Sequence, residues 1–455
     1  MPFSAGLRGA VLALAVVATV GQPAAGSAAQ PDSQADARAR HWTAQRRAAA
    51  VPRDLVVDER GRGFLRLRNG GLESYGKGAE QPADTSGPSV TNVDPSAGST
   101  IAGAHTFKAT VTDPDGVKSV SFSVGRIGGS YQNFNARHAG SGVWTVSLQG
   151  FSNGDWRWYV RAKDGAKRGG NTTTTDPVAF SVDTDSSGGG GGTDPEIVAN
   201  SEWTGGGAVQ TAIGRVYFEM PANKSHTRWV GYVCSGTVAQ DATSDRSVVI
   251  TAAHCVYDDV NGAFARNVLF IPNQAGTSGS GTDRDCGNDP LGCWAPSHGV
   301  VDVNWTNRTW PSNIPWDYAY YVVPDDAHTG AGTGGALDSR VDALSIQFTA
   351  PSLDGSTHAL GYSFNEDPKL MYCAEGLATE NSYGDWWLGS CGLSGGASGG
   401  PWVQPLTGGS GPIISVNSWG YSNQPGMAGP RLHDTSAHCV FTAAASSTAD
   451  LIKTC

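Results

Sequence analysis

Charge is scarce in this 455-residue chain: Asp, Glu, Lys and Arg together make up 16% of it, with a formal net charge of -10. Nucleic acid is therefore excluded as a partner, because its recognition rests on clustered Lys and Arg. Long hydrophobic runs are missing as well. The apolar stretch at 10–20 has eleven residues, short of the ~20 that a membrane-crossing helix needs, and no later stretch qualifies, so no membrane insertion is expected. Cysteine is absent before residue 234. No C-x-x-C or H-E-x-x-H spacing occurs, which removes the common zinc patterns and leaves His298, His328, His433 and His438 with loop or surface roles. No twelve-residue calcium loop is present either.

What the chain does have is enough apolar material for real cores, 39% with 14 tryptophans, and a length that suggests two or three domains at ~100–200 residues each. Arg8 precedes the short apolar run and the small residues Gly26-Ser27-Ala28-Ala29 follow it, the layout of a secretory signal cleaved near Ala29. Residues 1–29 are thus expected to be a signal peptide and the protein to be secreted. The eight cysteines, Cys234, Cys255, Cys286, Cys293, Cys373, Cys391, Cys439 and Cys455, are even in number and suit disulfides in an oxidising compartment. Roughly a hundred connectivities are open to eight cysteines; pairing of chain neighbours is the expectation.

Composition marks the boundaries. Residues 30–85 are Arg-rich and polar, and their ordered-looking part, "RDLVVDERGRGFLRLRNGGLESYG", reads as a hairpin. A pro-segment and a plain extended leader are both open. Over 86–184 short alternating runs recur (Phe107, Ala109, Val111; Val120, Phe122, Val124; Trp156, Trp158, Val160) with turn signals such as Asp113-Pro114-Asp115-Gly116 between them. That pattern indicates a β-sandwich, and "TVTDPDGVKSVSFSV" resembles the bacterial immunoglobulin-like modules of secreted and surface proteins. Residues 185–196 carry five consecutive glycines and read as a flexible linker. From 197 to 455 short strands with Gly-rich turns again dominate, and about 259 residues suffice for two barrels with a cleft between them. The expected fold class is all-β throughout.

Three stretches of this last region carry chemistry together: "TAAHC" with His254, "PWDYAYYVV" with Asp317 and "GGASGGPW" with Ser398. A serine hydroxyl is a weak nucleophile at neutral pH, an imidazole can take and return its proton, and a buried carboxylate can orient that imidazole. The set resembles the chymotrypsin-like (trypsin-like) serine protease superfamily, in the chain order His, Asp, Ser. The resemblance implies a double β-barrel, a disulfide from Cys234 to Cys255, His254 as general base and acid, Asp317 as its orienting carboxylate and Ser398 as nucleophile. It further implies an oxyanion hole from the N–H groups of Gly396 and Ser398, and protein or peptide substrates. "Ser418-Trp419-Gly420" looks like the family's strand that pairs with the substrate backbone, and Gly392 and Leu393 fall where the family lines its specificity pocket. No cofactor is implied.

Two departures stand out. Ala397 occupies the place where trypsin-like enzymes usually have Asp, so the familiar activation salt bridge to that Asp is not available. Gly392 stands where trypsins place an Asp, and Asn417 where glutamyl endopeptidases carry a histidine, so an apolar or small residue is expected before the scissile bond. Competing readings remain. Asp302 is a second candidate carboxylate. "Gly396-Ala397-Ser398-Gly399-Gly400" also fits the nucleophile elbow of esterases, although that fold needs its acid and histidine after the serine and only 57 residues follow Ser398. An inactive protease-like binding protein or adhesin is the non-enzymatic alternative. The sandwich is either a module that binds a surface or polysaccharide ligand or a spacer.

Overall fold

Alternation of apolar and polar residues along short segments becomes a set of β-sheets in the computed structural model. It describes residues 1–2, 33–76, 86–165, 170–184 and 197–455, apart from 59, 114–115, 141, 244, 281–282, 284, 333, 354, 381 and 423–424. The signal peptide and the Gly-rich linker expected from the sequence lie outside the described residues, as does the centre of the turn at 113–116. The chain divides into two compact units, Met1–Asp32 and Ser33–Cys455, and the described strands and helices all lie in the second. It is all-β in class. Among the described residues no helix is long and apolar enough to cross a membrane.

Residues 86–184 form two sheets, one of four strands and one of six. In the strand Ala104–Thr112 the inward positions Phe107, Ala109 and Val111 are buried while their neighbours are more exposed, the period-two pattern that packs one face on a core. Trp158 lies at the centre, edge-on to both Phe107 and Phe122, and its indole N–H donates to the Pro95 carbonyl at 2.9 Å. With no disulfide in this part, that packing is what holds the two sheets together.

The region after 197 is built on a ten-stranded sheet that includes Ile213–Pro221, Trp229–Ala239, Arg246–Thr251 and Ala319–Pro324. A five-stranded, a seven-stranded and a two-stranded sheet complete it. Four disulfides staple chain neighbours, Cys234–Cys255, Cys286–Cys293, Cys373–Cys391 and Cys439–Cys455. The helix Ala437–Ser446 and the strand Leu451–Lys453 close the chain, the strand pairing in parallel with His298–Asp302.

Residues 33–76 are packed onto this domain. Helix α1 (Gln34–His41) is capped by Ser33, whose hydroxyl accepts from the Asp36 N–H, and helix α2 (Ala44–Ala49) by Thr43 in the same way. Strand β1 (Val51–Pro52) pairs in parallel with Tyr232 and Val233. Strand β2 (Asp54–Val57) forms the expected hairpin with β3 (Gly63–Arg66). The helices explain an anomaly in Ile213–Pro221. Its sequence alternates Arg215, Tyr217, Glu219 with Val216, Phe218, Met220, as a half-exposed strand should, yet all nine residues are buried. The polar face is covered from outside: Trp42 packs on Tyr217 with ring centroids 5.3 Å apart, the Arg47 guanidinium lies over the same ring, and His41 bonds Glu219 at 3.0 Å.

Candidate active site

Sheet register brings the first two candidates together. Arg246–Thr251 pairs antiparallel with Ala319–Pro324, ending at Thr251 opposite Ala319. The short turn carrying His254 (Ala253–Cys255) follows the first strand at that end, and Asp317 precedes the second at the same end. Both carboxylate oxygens of Asp317 then serve the histidine: Oδ2 lies 2.7 Å from Nδ1, and Oδ1 accepts from the His254 backbone N–H at 2.8 Å. Both residues are fully buried. A carboxylate so placed fixes the imidazole tautomer and leaves Nε2 as the working nitrogen. The Cys234–Cys255 disulfide ties this turn to the neighbouring strand.

Ser398 sits in a turn whose glycines are required by its geometry. Gly396 and Gly399 have φ of +101° and +81°, values that disfavour any side chain. A Cβ at Gly399 would stand 2.0 Å from Thr251 Oγ1 and 2.4 Å from the Ser235 carbonyl oxygen, so the absence of that atom lets the turn abut the strand that leads to His254. Ser235, in "VCSGT", fastens the turn at two points: its N–H donates to the Ser398 carbonyl at 2.7 Å and its hydroxyl to the Gly396 carbonyl at 2.9 Å. Asn417 fastens it from the other side. Its carboxamide N–H groups donate to the Ala397 and Leu360 carbonyls, and its backbone carbonyl accepts from the Gly399 N–H at 2.7 Å. The sequence singled out neither Ser235 nor the loop-holding role of Asn417, because a polar residue in a Gly-rich stretch carries no local mark of what it will bond.

Among the described residues, the N–H groups of Gly396 and Ser398 donate to no acceptor. The Ser398 hydroxyl donates to the carbonyl of Arg53, at 3.1 Å, and His254 Nε2 is buried with no hydrogen-bond partner. No hydrogen bond joins Ser398 to His254 in this arrangement.

Ser418, Trp419 and Gly420 lie beside the turn. The Ser418 hydroxyl donates to Asp317 Oδ2 at 2.5 Å, making it a third donor to that carboxylate. The strand Trp419–Tyr421 is already paired, in parallel, with β2: Leu55 faces Trp419, Val56 faces Gly420 and Val57 faces Tyr421. The Trp419 indole donates to Asp385 at 2.9 Å, and burial pushes that carboxyl well above the usual carboxylate range. Gly392 is exposed and its N–H donates to the Ala199 carbonyl, while Leu393 is buried in an apolar cluster with Met371, Trp386 and Met427.

The remaining candidates have structural partners. Asp302 caps the short helix Val303–Thr306 through the Asn304 N–H and also accepts from the Ser436 hydroxyl. His298 bonds Ser447, His328 donates to the Ala331 carbonyl, His433 stacks on Trp386 and His438 on Phe348.

Residues 88–155 match the family described as a bacterial Ig domain. Among solved structures the chain is similar to the thermostable serine protease AL20 from an extremophilic microorganism, at 27% identity over 53% of this chain and 100% of that one, with a TM-score of 0.42. It is also similar to the endo-beta-1,4-mannanase from Thermotoga petrophila, at 17% identity over 23% of this chain and 22% of that chain, TM-score 0.19. A third likeness is to the fibronectin(III)-like modules of Clostridium thermocellum CbhA, at 14% identity over 41% and 86% of the two chains, TM-score 0.16. No curated protein matches.

Proposed function

We propose that the chain is a secreted serine endopeptidase of the chymotrypsin-like class, hydrolysing peptide bonds through an acyl-enzyme. The carrying observation is that both oxygens of the buried Asp317 are bonded to His254, beside a glycine turn that holds a serine and two unengaged N–H groups. Ser398 attacks the scissile carbonyl carbon while His254 Nε2 takes its proton, and Asp317 and Ser418 hold the imidazolium that results. The N–H groups of Gly396 and Ser398 receive the charge that develops on the carbonyl oxygen. His254 then returns the proton to the leaving amine, and water repeats the sequence to release the acid.

In this reading residues 1–29 are the export signal, 30–85 a pro-segment, 86–184 the immunoglobulin-like module, 185–196 its tether and 197–455 the peptidase domain. The module directs the enzyme to a surface, polysaccharide or protein ligand. The residue before the scissile bond is apolar or small, since neither an acidic nor a basic group stands at Gly392. Cleavage of a diverse peptide library, read by mass spectrometry, tests the proposal: the parent cuts and Ser398→Ala does not. Equal cutting by both sinks it, and cutting by neither, once residues 33–76 are displaced, favours a binding protein instead.

A further inference from the structure

We propose that residues 51–57 are an inhibitor built into the chain, seated in the cleft in an arrangement the triad cannot cut. This rests on the peptidase reading of the site. The segment meets the nucleophile directly. The Arg53 carbonyl oxygen accepts a hydrogen bond from the Ser398 hydroxyl, through the proton that His254 has to remove, and His254 Nε2 is left buried and unpartnered. The contact has the wrong chemistry for reaction. A nucleophile must approach the carbonyl carbon, with the oxygen turned to the oxyanion donors. Here the oxygen itself faces Oγ as a hydrogen-bond acceptor, and the Gly396 and Ser398 N–H groups do not bind it.

The backbone is held on both sides of that contact. Before it, β1 runs parallel to Tyr232 and Val233, and the Arg53 N–H donates to the Val233 carbonyl at 3.2 Å. After it, β2 runs parallel to Trp419–Tyr421, and so occupies the edge that a substrate backbone would use. Pro52 and Asp54 straddle Gly395, whose missing Cβ would stand 2.7 and 3.0 Å from their Cβ atoms. Leu55 and Val57 are fully buried.

The Arg53 side chain is the anchor. It is 1% exposed, pairs with Asp258 at 3.1 Å, donates to the Tyr75 hydroxyl at 2.6 Å and lies over the rings of Tyr75 and Tyr232. Asp258 stands four residues after His254, so the anchor's partner and the unpartnered imidazole belong to one piece of chain. The helices on the outer face of Ile213–Pro221 hold the segment from a second direction. The polar pair they cover, Tyr217 and Glu219, is suited to water once they leave.

The test is the rate at which a fluorophosphonate modifies Ser398, read by intact-mass spectrometry on the full chain. The account expects slow modification of the parent and at least tenfold faster modification of Arg53→Ala. A synthetic peptide of residues 50–58 slows the variant again, and a scrambled peptide does not. The bond after Arg53 stays whole throughout. Equal, fast modification of parent and Arg53→Ala, or cleavage after Arg53 in the parent, overturns the inhibitor while leaving the peptidase reading in place. If both are slow, Arg53→Ala/Leu55→Asp decides: fast modification supports a hold spread over the segment. An inert double variant removes the peptidase reading and this inference with it.

Discussion

Asp317 gives both of its oxygens to one histidine, and the reason it can do so is a register, not a motif. Thr251 opposite Ala319 delivers His254 and Asp317 to the same end of a strand pair, so "TAAHC" and "PWDYA" were legible in the sequence as local patterns and the pairing of their strands made them neighbours. Arg53 had no such mark. It is one arginine in an Arg-rich stretch, and only the parallel pairing of β1 and β2 puts its carbonyl at Ser398. A second side chain illegible in the sequence is Asp289. Burial raises its pKa to about 6, against the lowering influence of Arg47 and a Thr277 hydrogen bond and with a small upward push from Asp283 and Asp285. A raised carboxyl pKa contributes stability that is fully present below the unfolded value and is lost as pH rises through the folded one. The contribution of Asp289 to stability should therefore fall between about pH 4 and pH 7, by up to about 3 kcal/mol. Asp289→Asn should remove that part of the fall, and a pH series of unfolding curves for the two proteins checks it; parallel curves would contradict the assignment.

Period-two patterns located the strands, but such a pattern does not report whether a second face is covered by a docked segment. Ile213–Pro221 has the sequence of a half-wet strand, and α1 and α2 make it dry. Those helices left little trace in the sequence because their apolar positions are few, and their burial comes from Trp42 and Arg47 reaching the strand rather than from an apolar stripe. The sandwich strands were easier to see, since Phe107, Val120, Phe122 and Trp158 face one core with no covering segment. Trp158 fills that core. Trp158→Ala should cost the sandwich about 3–5 kcal/mol, because it leaves a cavity and removes the indole bond to Pro95. Hydrogen exchange should show faster exchange across 86–184 with 197–455 unchanged, and peptide cleavage should persist. A uniform loss of protection across both regions would mean that the two cores unfold as one.

The whole chain assigns different means of stability to its parts. All four disulfides lie between residues 234 and 455, two of them flanking the candidate triad at Cys255 and Cys391, while the sandwich relies on aromatic packing and the segment at 33–76 on docking to its neighbour. A docked segment can leave without breaking a disulfide to the domain it covers, whereas the turn at His254 is tied to its neighbouring strand through Cys234–Cys255. The all-β class was readable from strand density and turn residues; the route of residues 33–76 across the site was not, because it depends on long-range pairing that no local window contains. The central claim is that His254 and Ser398 act as one unit in acyl transfer. It is tested most directly by turnover of one peptide substrate by His254→Ala, Ser398→Ala and the double variant, under conditions where the parent cleaves. The account predicts that each single change lowers turnover by roughly 10⁴-fold or more and that the double variant loses no further activity. Losses that multiply, or a Ser398→Ala protein that retains the parent rate, would contradict it.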